Sequence, residues 1–524
     1  MRTVPELLAR AARREAGLHF EDGTATWSDL EAESARAAAG LRDLGVGPGD
    51  RVGLWLPNDR AWLVLLAACC RIGAIAVAVN TRFRRQEMDD LVRRLRPRVI
   101  AWVPRLGRAD HAAVLAGVDW SEPVTLVHCG DDEVAEVPGV AATGYHDLLA
   151  ARPGRGSASG EQVCCIFLSS GTTGRSKFVM HRQDSVVRHA VAVARTLELG
   201  APGTMVMQAL PFCGVFGFML MTATMAAGAA MVVPRIFDAD RCARLAREHR
   251  VTHLAGSDDM FSRLLREGER VSGGAERPFP DLRYCPYAQF NPALAEFPAT
   301  AMERGVPLIG PFGMSEVFSY FSLRRPNDPP ALRAEAGGHP VDPDAAVRVR
   351  DPVTGRLAGD GEVGEIEISS PTRFVGYFGD EDATRAAFSP DGWLRTGDLG
   401  TMAPDGSFTY LSRMGDALRL GGFLVNPVEI EARLCSHPQV ADAQVVAVDT
   451  DRGTRPVAFV IPRRDGVCDE QALVAHCASD LAPFKVPVRC FPVTAFPVTE
   501  SPNGTKIRKE RLRAMARDAL APGE

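Results

Sequence analysis

The sequence predicts an α/β protein: a large N-terminal domain of mostly parallel sheets flanked by helices, followed by a small α+β domain. Three observations carry this. Segments with helical and strand patterning alternate through the first ~400 residues, as crossover-connected parallel strands require. From Val215 to Val233 the chain runs 19 residues without a charge, long enough to span a bilayer. Gly217 and Gly228 interrupt that run and Pro234 ends it. It therefore reads as a buried helix, a turn at Ala227–Ala229 and a buried strand Ala230–Val233, the product of a sheet covered by helices. After about residue 400 the character changes to shorter strands, charged turns and two terminal helices.

The elements follow in order. Thr26–Leu30 opens an amphipathic helix to Leu44, with Ser28 as cap and Glu31 completing a capping box. Arg51–Leu56 is a strand, Arg60–Ile72 an apolar helix and Ile75–Val79 the next strand. Gln86–Leu95 is helical and Val99–Val103 extended. After the Gly/Ser-rich stretch Gly154–Gly160, Gln162–Leu168 is a strand that runs into a Gly/Ser/Thr loop. Ala239–His249 and His253–Ala255 repeat the helix–strand alternation. Ser407–Leu411 is a strand, and the charged turn Arg413–Asp416 marks the boundary between domains 1–413 and 414–524. In the second domain, Pro427–Leu434, Asp469–Leu481 and Lys509–Leu520 are helices, and Gln444–Val448 and Pro456–Ile461 are strands.

Composition narrows the function classes. At 46% hydrophobic and 24% charged, the chain is an ordinary soluble globular protein. A net charge of −5 offers no polyanion footprint, so nucleic acid is not an expected partner. Twelve cysteines form no Cys-x-x-Cys pair. The adjacent pairs Cys69-Cys70 and Cys164-Cys165 lie in apolar runs and read as small buried hydrophobes in a reducing compartment. The N-terminus lacks a long apolar segment. The expectation is a cytoplasmic protein without a transmembrane segment.

The lysines point to chemistry. Of 60 Lys and Arg residues only Lys177, Lys485, Lys506 and Lys509 are lysine. A lysine kept against such a bias marks a place for a compact ammonium that Arg cannot mimic. Lys177 closes Ser169-Ser170-Gly171-Thr172-Thr173-Gly174-Arg175-Ser176-Lys177, and Lys506 closes Pro502-Asn503-Gly504-Thr505-Lys506. The first is a loop whose backbone N–H groups, hydroxyls and lysine suit a phosphate chain, although it is not a Walker loop. Lys485 reads as a structural residue, Lys509 as a solvated helix charge and His181 as a packed histidine.

Further motifs follow downstream. Pro311-Phe312-Gly313-Met314-Ser315-Glu316 holds an aromatic ring, a hydroxyl and a carboxylate in one turn. Gly392–Asp398 ends in an acid suited to a ribose diol, and Asp416–Gly422 follows. In order and spacing the set resembles the adenylate-forming superfamily: acyl-CoA synthetases, firefly-type luciferases and the adenylation domains of peptide synthetases. The resemblance spans nearly the whole chain.

The resemblance implies two half-reactions. A carboxylate attacks the α-phosphorus of ATP, releasing pyrophosphate; then a thiol, usually of coenzyme A, displaces AMP after the small domain rotates. By position, Ser170, Gly171, Thr172, Thr173, Gly174 and Lys177 would hold the β,γ-phosphates. Phe312 and Gly313 would meet the adenine and Ser315 the α-phosphate. Glu316, with Thr172, would hold Mg²⁺. Asp398 would bind the ribose with Arg413 nearby, and Asp416 would be the hinge. Lys506 would be the mobile catalytic lysine, and Gly421-Gly422 would line the pantetheine tunnel.

Several positions depart from the family pattern. Pro-Lys-Gly-Val becomes Ser176-Lys177-Phe178-Val179, the glycine-rich adenine turn becomes Tyr287-Ala288-Gln289-Phe290-Asn291, and the C-terminal Gly-Lys becomes Thr505-Lys506. Each touches the ATP half-reaction. At the acyl pocket, Pro-x-x-His-x-x-Gly becomes Pro211-Phe212-Cys213-Gly214-Val215-Phe216-Gly217. Gly214 in place of an imidazole widens the pocket, and Phe212, Phe216, Phe218, Met219 and Phe290 suit an apolar, bulky acid. The expected protein is an acyl-CoA ligase. Its rivals are a ligase that loads an acyl carrier protein, an enzyme of the thioesterification half alone fed by a partner adenylating enzyme, and a non-catalytic acyl-adenylate binder.

Overall fold

The structure is a computed structural model and describes residues 1–130, 137–154, 156–169, 176–290, 294, 296–415, 418–420, 423–425, 427–450, 453–463, 468–501 and 504–520. An eight-stranded sheet forms the first half. Its order is Gly376–Tyr377, Lys177–Arg182, Val163–Ser169, Ile75–Ala78, Arg51–Trp55, Val99–Trp102, Thr125–His128, Ala141–Gly144. The last six run parallel; the first two are antiparallel additions. A five-stranded sheet, parallel except for the hairpin Gly17–Phe20/Gly23–Thr26, lies in the same half.

The alternation that predicts parallel sheets does not announce the third. Seven strands between Pro311 and Arg413 form a wholly antiparallel sheet. Its strands are joined without long helical crossovers, so no helix–strand alternation marks it in the sequence.

The predicted elements stand with small shifts. The uncharged run is a helix, Val215–Ala227, buried along nearly its whole length. Gly228 ends it in the left-handed region at φ 61°, the conformation glycine adopts without a Cβ penalty. A strand Ala230–Val232 follows. Among the described residues no helix is long and apolar enough to cross a membrane. Cys69, Cys70, Cys164 and Cys165 are free and buried, as read from sequence.

The cap of the first long helix is corrected. Thr26, not Ser28, accepts from Asp29 N, and Asp29 reciprocates to Thr26 N. The helix therefore starts at Trp27, whose ring is buried and whose indole donates to the Ala229 carbonyl at 3.1 Å. Burying that ring draws the start two residues toward the N-terminus.

Beyond residue 414, Val440–Thr450 and Gly453–Pro462 pair antiparallel, with Arg489–Pro492 parallel alongside. Helices Pro427–Cys435, Glu470–Ala478 and Lys509–Leu520 accompany this sheet. The hairpin Val498–Ser501/Gly504–Ile507 precedes the last helix.

Candidate active site

The candidate phosphate loop is flanked by two antiparallel strands, Val163–Ser169 and Lys177–Arg182, in which Ser169 faces Lys177. Ser170, Gly171, Thr172, Thr173 and Gly174 lie outside the described residues. Lys177 opens the second strand, its Nζ 4.5 Å above the centroid of the Tyr377 ring. Alternation sends its neighbour the other way. Phe178 is buried in the core beneath the parallel sheet, with the Arg94 guanidinium 4.2 Å from its ring centroid. Arg94 also donates to the Ser176 carbonyl at 2.9 Å. The ring that replaces the family's glycine thus faces away from Lys177.

Glu316 is 6% exposed. The Tyr377 hydroxyl donates to its Oε1 at 2.8 Å, and Phe374 N donates to its carbonyl at 2.7 Å. Burial and the adjacent Glu316 charge raise the Tyr377 phenol well above its usual value, so it stays a donor. Among the described residues no cation lies within ion-pair distance of Glu316, and no group of three or more His, Cys, Asp or Glu could hold a metal ion alone. The described part of the site thus offers a single carboxylate, oriented by a neutral hydroxyl. That fits magnesium, which is bound through one or two carboxylates together with substrate phosphates.

The segment around Glu316 is braced from behind. His181, on the Lys177 strand, is fully buried and donates from Nε2 to the Ser315 carbonyl at 2.7 Å. Its ring stacks on Phe318 at 3.8 Å. Desolvation lowers its pKa to about 3, against the raising effect of the Ser315 carbonyl, so the imidazole is neutral and structural, as expected. His189 makes the same contact with the Ser319 carbonyl at 2.8 Å.

The remaining nucleotide candidates are more enclosed than the motifs imply. Phe312 is packed against Phe408 and Tyr410, with ring centroids 5.3 and 5.8 Å away. Gly313 is required by close approach, since a Cβ there would sit 2.5 Å from the Phe318 carbonyl oxygen. Asp398 is 3% exposed and pairs through Oδ1 with Arg413 Nε at 3.0 Å across two adjacent strands. Phe290 is half-buried, its backbone N–H donating to Asp258 at 2.8 Å.

The acyl candidates gather at the start of the apolar helix. Gly214 caps it with φ −93° and ψ 138°, a conformation open to any residue. Gly217 is needed for packing, because a Cβ would lie 2.3 Å from the Pro211 carbonyl oxygen. Phe212 and Phe216 are buried, Phe212 beside Trp62 at 5.4 Å and Phe216 beside Tyr320 at 4.9 Å. Buried Asn58 clamps this wall. Its amide donates to the Gln208 and Leu210 carbonyls at 2.9 and 2.8 Å and accepts from Phe212 N at 2.8 Å.

In the second domain, Asp416, Gly421 and Gly422 lie outside the described residues, and Lys506 sits on the strand Gly504–Ile507. Lys485 is structural, bonding Glu429 at 2.7 Å. Lys509 corrects the expectation of a solvated charge. It is 14% exposed and pairs with Glu431, itself 6% exposed, at 3.1 Å. Sequence reasoning missed Tyr377 and Asn58. Pro57-Asn58-Asp59 reads as a turn before a helix, and Tyr377 lies 61 residues from its partner Glu316, a separation no local signal bridges.

The family model for the AMP-binding enzyme matches residues 7–378, and that for the AMP-binding enzyme C-terminal domain matches residues 429–503. The chain belongs to the AMP-binding enzyme family. The resemblance to the adenylate-forming superfamily is thereby borne out. A relative in Mycobacterium tuberculosis, 3-[(3aS,4S,7aS)-7a-methyl-1,5-dioxo-octahydro-1H-inden-4-yl]propanoyl:CoA ligase, is 31% identical over 93% of this chain and 94% of its own length. The 2-hydroxy-7-methoxy-5-methyl-1-naphthoate–CoA ligase of Streptomyces carzinostaticus is 31% identical over 98% and 93%. Among solved structures of this family, the ATP-bound RpMatB-BxBclM chimera B3 superposes with a TM-score of 0.82 at 26% identity, covering 99% of this chain and 100% of that one.

Proposed function

We propose that this AMP-forming carboxylate–CoA ligase activates a bulky, hydrophobic carboxylic acid through an acyl-adenylate and transfers it to coenzyme A. The aromatic wall of Phe212, Phe216 and Phe218 at the start of an uncharged helix carries this reading. It offers apolar area and no charge for a substrate ammonium, whose burial without a partner would be costly. The relatives named for a bicyclic propanoyl group and a naphthoate support the same class.

In this reading the loop Ser170–Gly174 and Lys177 hold the β,γ-phosphates, Glu316 with Thr172 holds magnesium, and Asp398 with Arg413 meets the ribose. The domains divide as 1–413 and 414–524. Asp416 is the hinge, Lys506 serves adenylation and Gly421-Gly422 the pantetheine tunnel. Phe178 supports a working ATP half, because the bulky residue points into the core and away from Lys177. The test is a carboxylic-acid panel assayed separately for pyrophosphate release and for CoA-ester formation. Bulky ring acids should give both. Pyrophosphate release with no CoA ester would favour a carrier-protein acceptor, and CoA-ester formation only from supplied acyl-adenylate would favour the thioesterification-only rival.

A further inference from the structure

Among the described residues, two hydrogen-bond donors are buried against the aromatic wall without a partner. Tyr320 is fully buried, its ring lies 4.9 Å from Phe216, and among the described residues its hydroxyl meets no acceptor. Trp62 is buried beside Phe212 and Phe218, and its indole N–H is likewise unmatched. A buried donor left without an acceptor costs free energy that phenylalanine, filling nearly the same space, would not.

The backbone adds to that cost. Phe318 and Tyr320 both adopt left-handed φ, 66° and 61°, a strained conformation for aromatic residues. His181 and His189 hold the Ser315 and Ser319 carbonyls of this same segment, so its backbone is braced on either side of Phe318, and the Tyr320 ring packs beside Phe216 at the helix start. Burial also raises the Tyr320 phenol well above its ordinary value, which keeps the proton available for donation.

We infer that Tyr320 is a specificity-determining residue that donates a hydrogen bond to an oxygen on the ring system of the acid, remote from its carboxylate. The substrate class is therefore a bulky carbocyclic acid bearing a keto, hydroxyl or ether oxygen, rather than a plain hydrocarbon acid. The inference rests on the reading of Phe212 and Phe216 as the acyl wall.

The test uses the full-length protein and a panel of naphthalene-, tetralin- and decalin-carboxylic acids, each as hydrocarbon parent and as its keto, hydroxy and methoxy derivatives. CoA-ester formation is measured as kcat/KM for wild type and Tyr320→Phe, with the melting temperature of each. Wild type should prefer at least one oxygenated member over its parent by about tenfold or more. Tyr320→Phe should bring that ratio close to one, with an unchanged or higher melting temperature. An equal ratio in both proteins overturns the inference. So does a uniform loss on every acid with a lowered melting temperature, which would mark a structural hydroxyl. Wild type that esterifies hydrocarbon and oxygenated acids alike leaves the ligase reading intact and overturns this inference alone. Wild type that forms no CoA ester from any bulky ring acid overturns both.

Discussion

Tyr377 joins two parts of the site: its hydroxyl donates to Glu316 at 2.8 Å while its ring lies under the ammonium of Lys177. Tyr377→Phe keeps the ring and removes the hydroxyl. A hydrogen bond to a buried charge is worth roughly 1.5–3 kcal/mol, so pyrophosphate formation should fall about 10- to 100-fold and its magnesium requirement should rise. Thioesterification of a supplied acyl-adenylate should be less affected. Titrating magnesium against pyrophosphate release checks this, and equal losses in both half-reactions would count against it.

Lys506→Ala should suppress adenylation by about 100-fold or more, since a preorganised charge-stabilising donor is worth roughly 3 kcal/mol. Thioesterification of supplied adenylate should survive. Comparing the two half-reactions in single-turnover assays decides it.

Gly214→His should be accepted by the backbone, because φ at this position is −93°. Its effect should come from the ring alone. The kcat/KM for bulky ring acids should drop while short linear acids are spared, and an unchanged ratio would remove Gly214 from the acyl wall.

Lys509→Met leaves Glu431 buried without its cation. Breaking a buried pair from one side costs about 3–5 kcal/mol, measurable as a lower denaturant midpoint. Adding Glu431→Gln should recover part of the loss. It removes the stranded charge while keeping an oxygen for the Val445 N–H that Glu431 now accepts at 2.9 Å.

Stability should fall in mild acid. His181 has a pKa of about 3, and His189 and His253 of about 4, all lowered first by burial. The unfolded chain binds these protons near 6.5 while the folded chain does not, so stability is lost as pH drops from about 6.5 toward those folded values. For His181 the loss at pH 5 is about 2 kcal/mol. Unfolding free energies from pH 7 to 4.5 should show this slope, and His181→Gln should flatten it.

Local pattern was sufficient where the physics is local. The helix Arg60–Ile72 was legible to the residue, because an apolar face, a capping Asp59 and a terminal Gly73 lie within one stretch of chain. The helix–turn–strand order of Val215–Val233 was legible as well, with the helix running through Ala227 and the strand ending at Val232, and the lysine bias singled out Lys177 and Lys506 as candidates. Partners distant in the chain were not legible. Phe178 looked like a threat to the phosphate loop until alternation along its strand sent the ring to the opposite face. Lys509 looked solvated because its helix is charged on most sides, yet the fold places Glu431 against it. Tyr377 and Glu316 meet only because an antiparallel strand is added to the edge of the main sheet. Periodicity and motif spacing are properties of neighbouring residues and so determined most of the elements and the family, and singled out the candidate site residues. Which face a side chain uses, and which charge or hydroxyl answers it, depends on strand order and packing, and only the tertiary structure decided those.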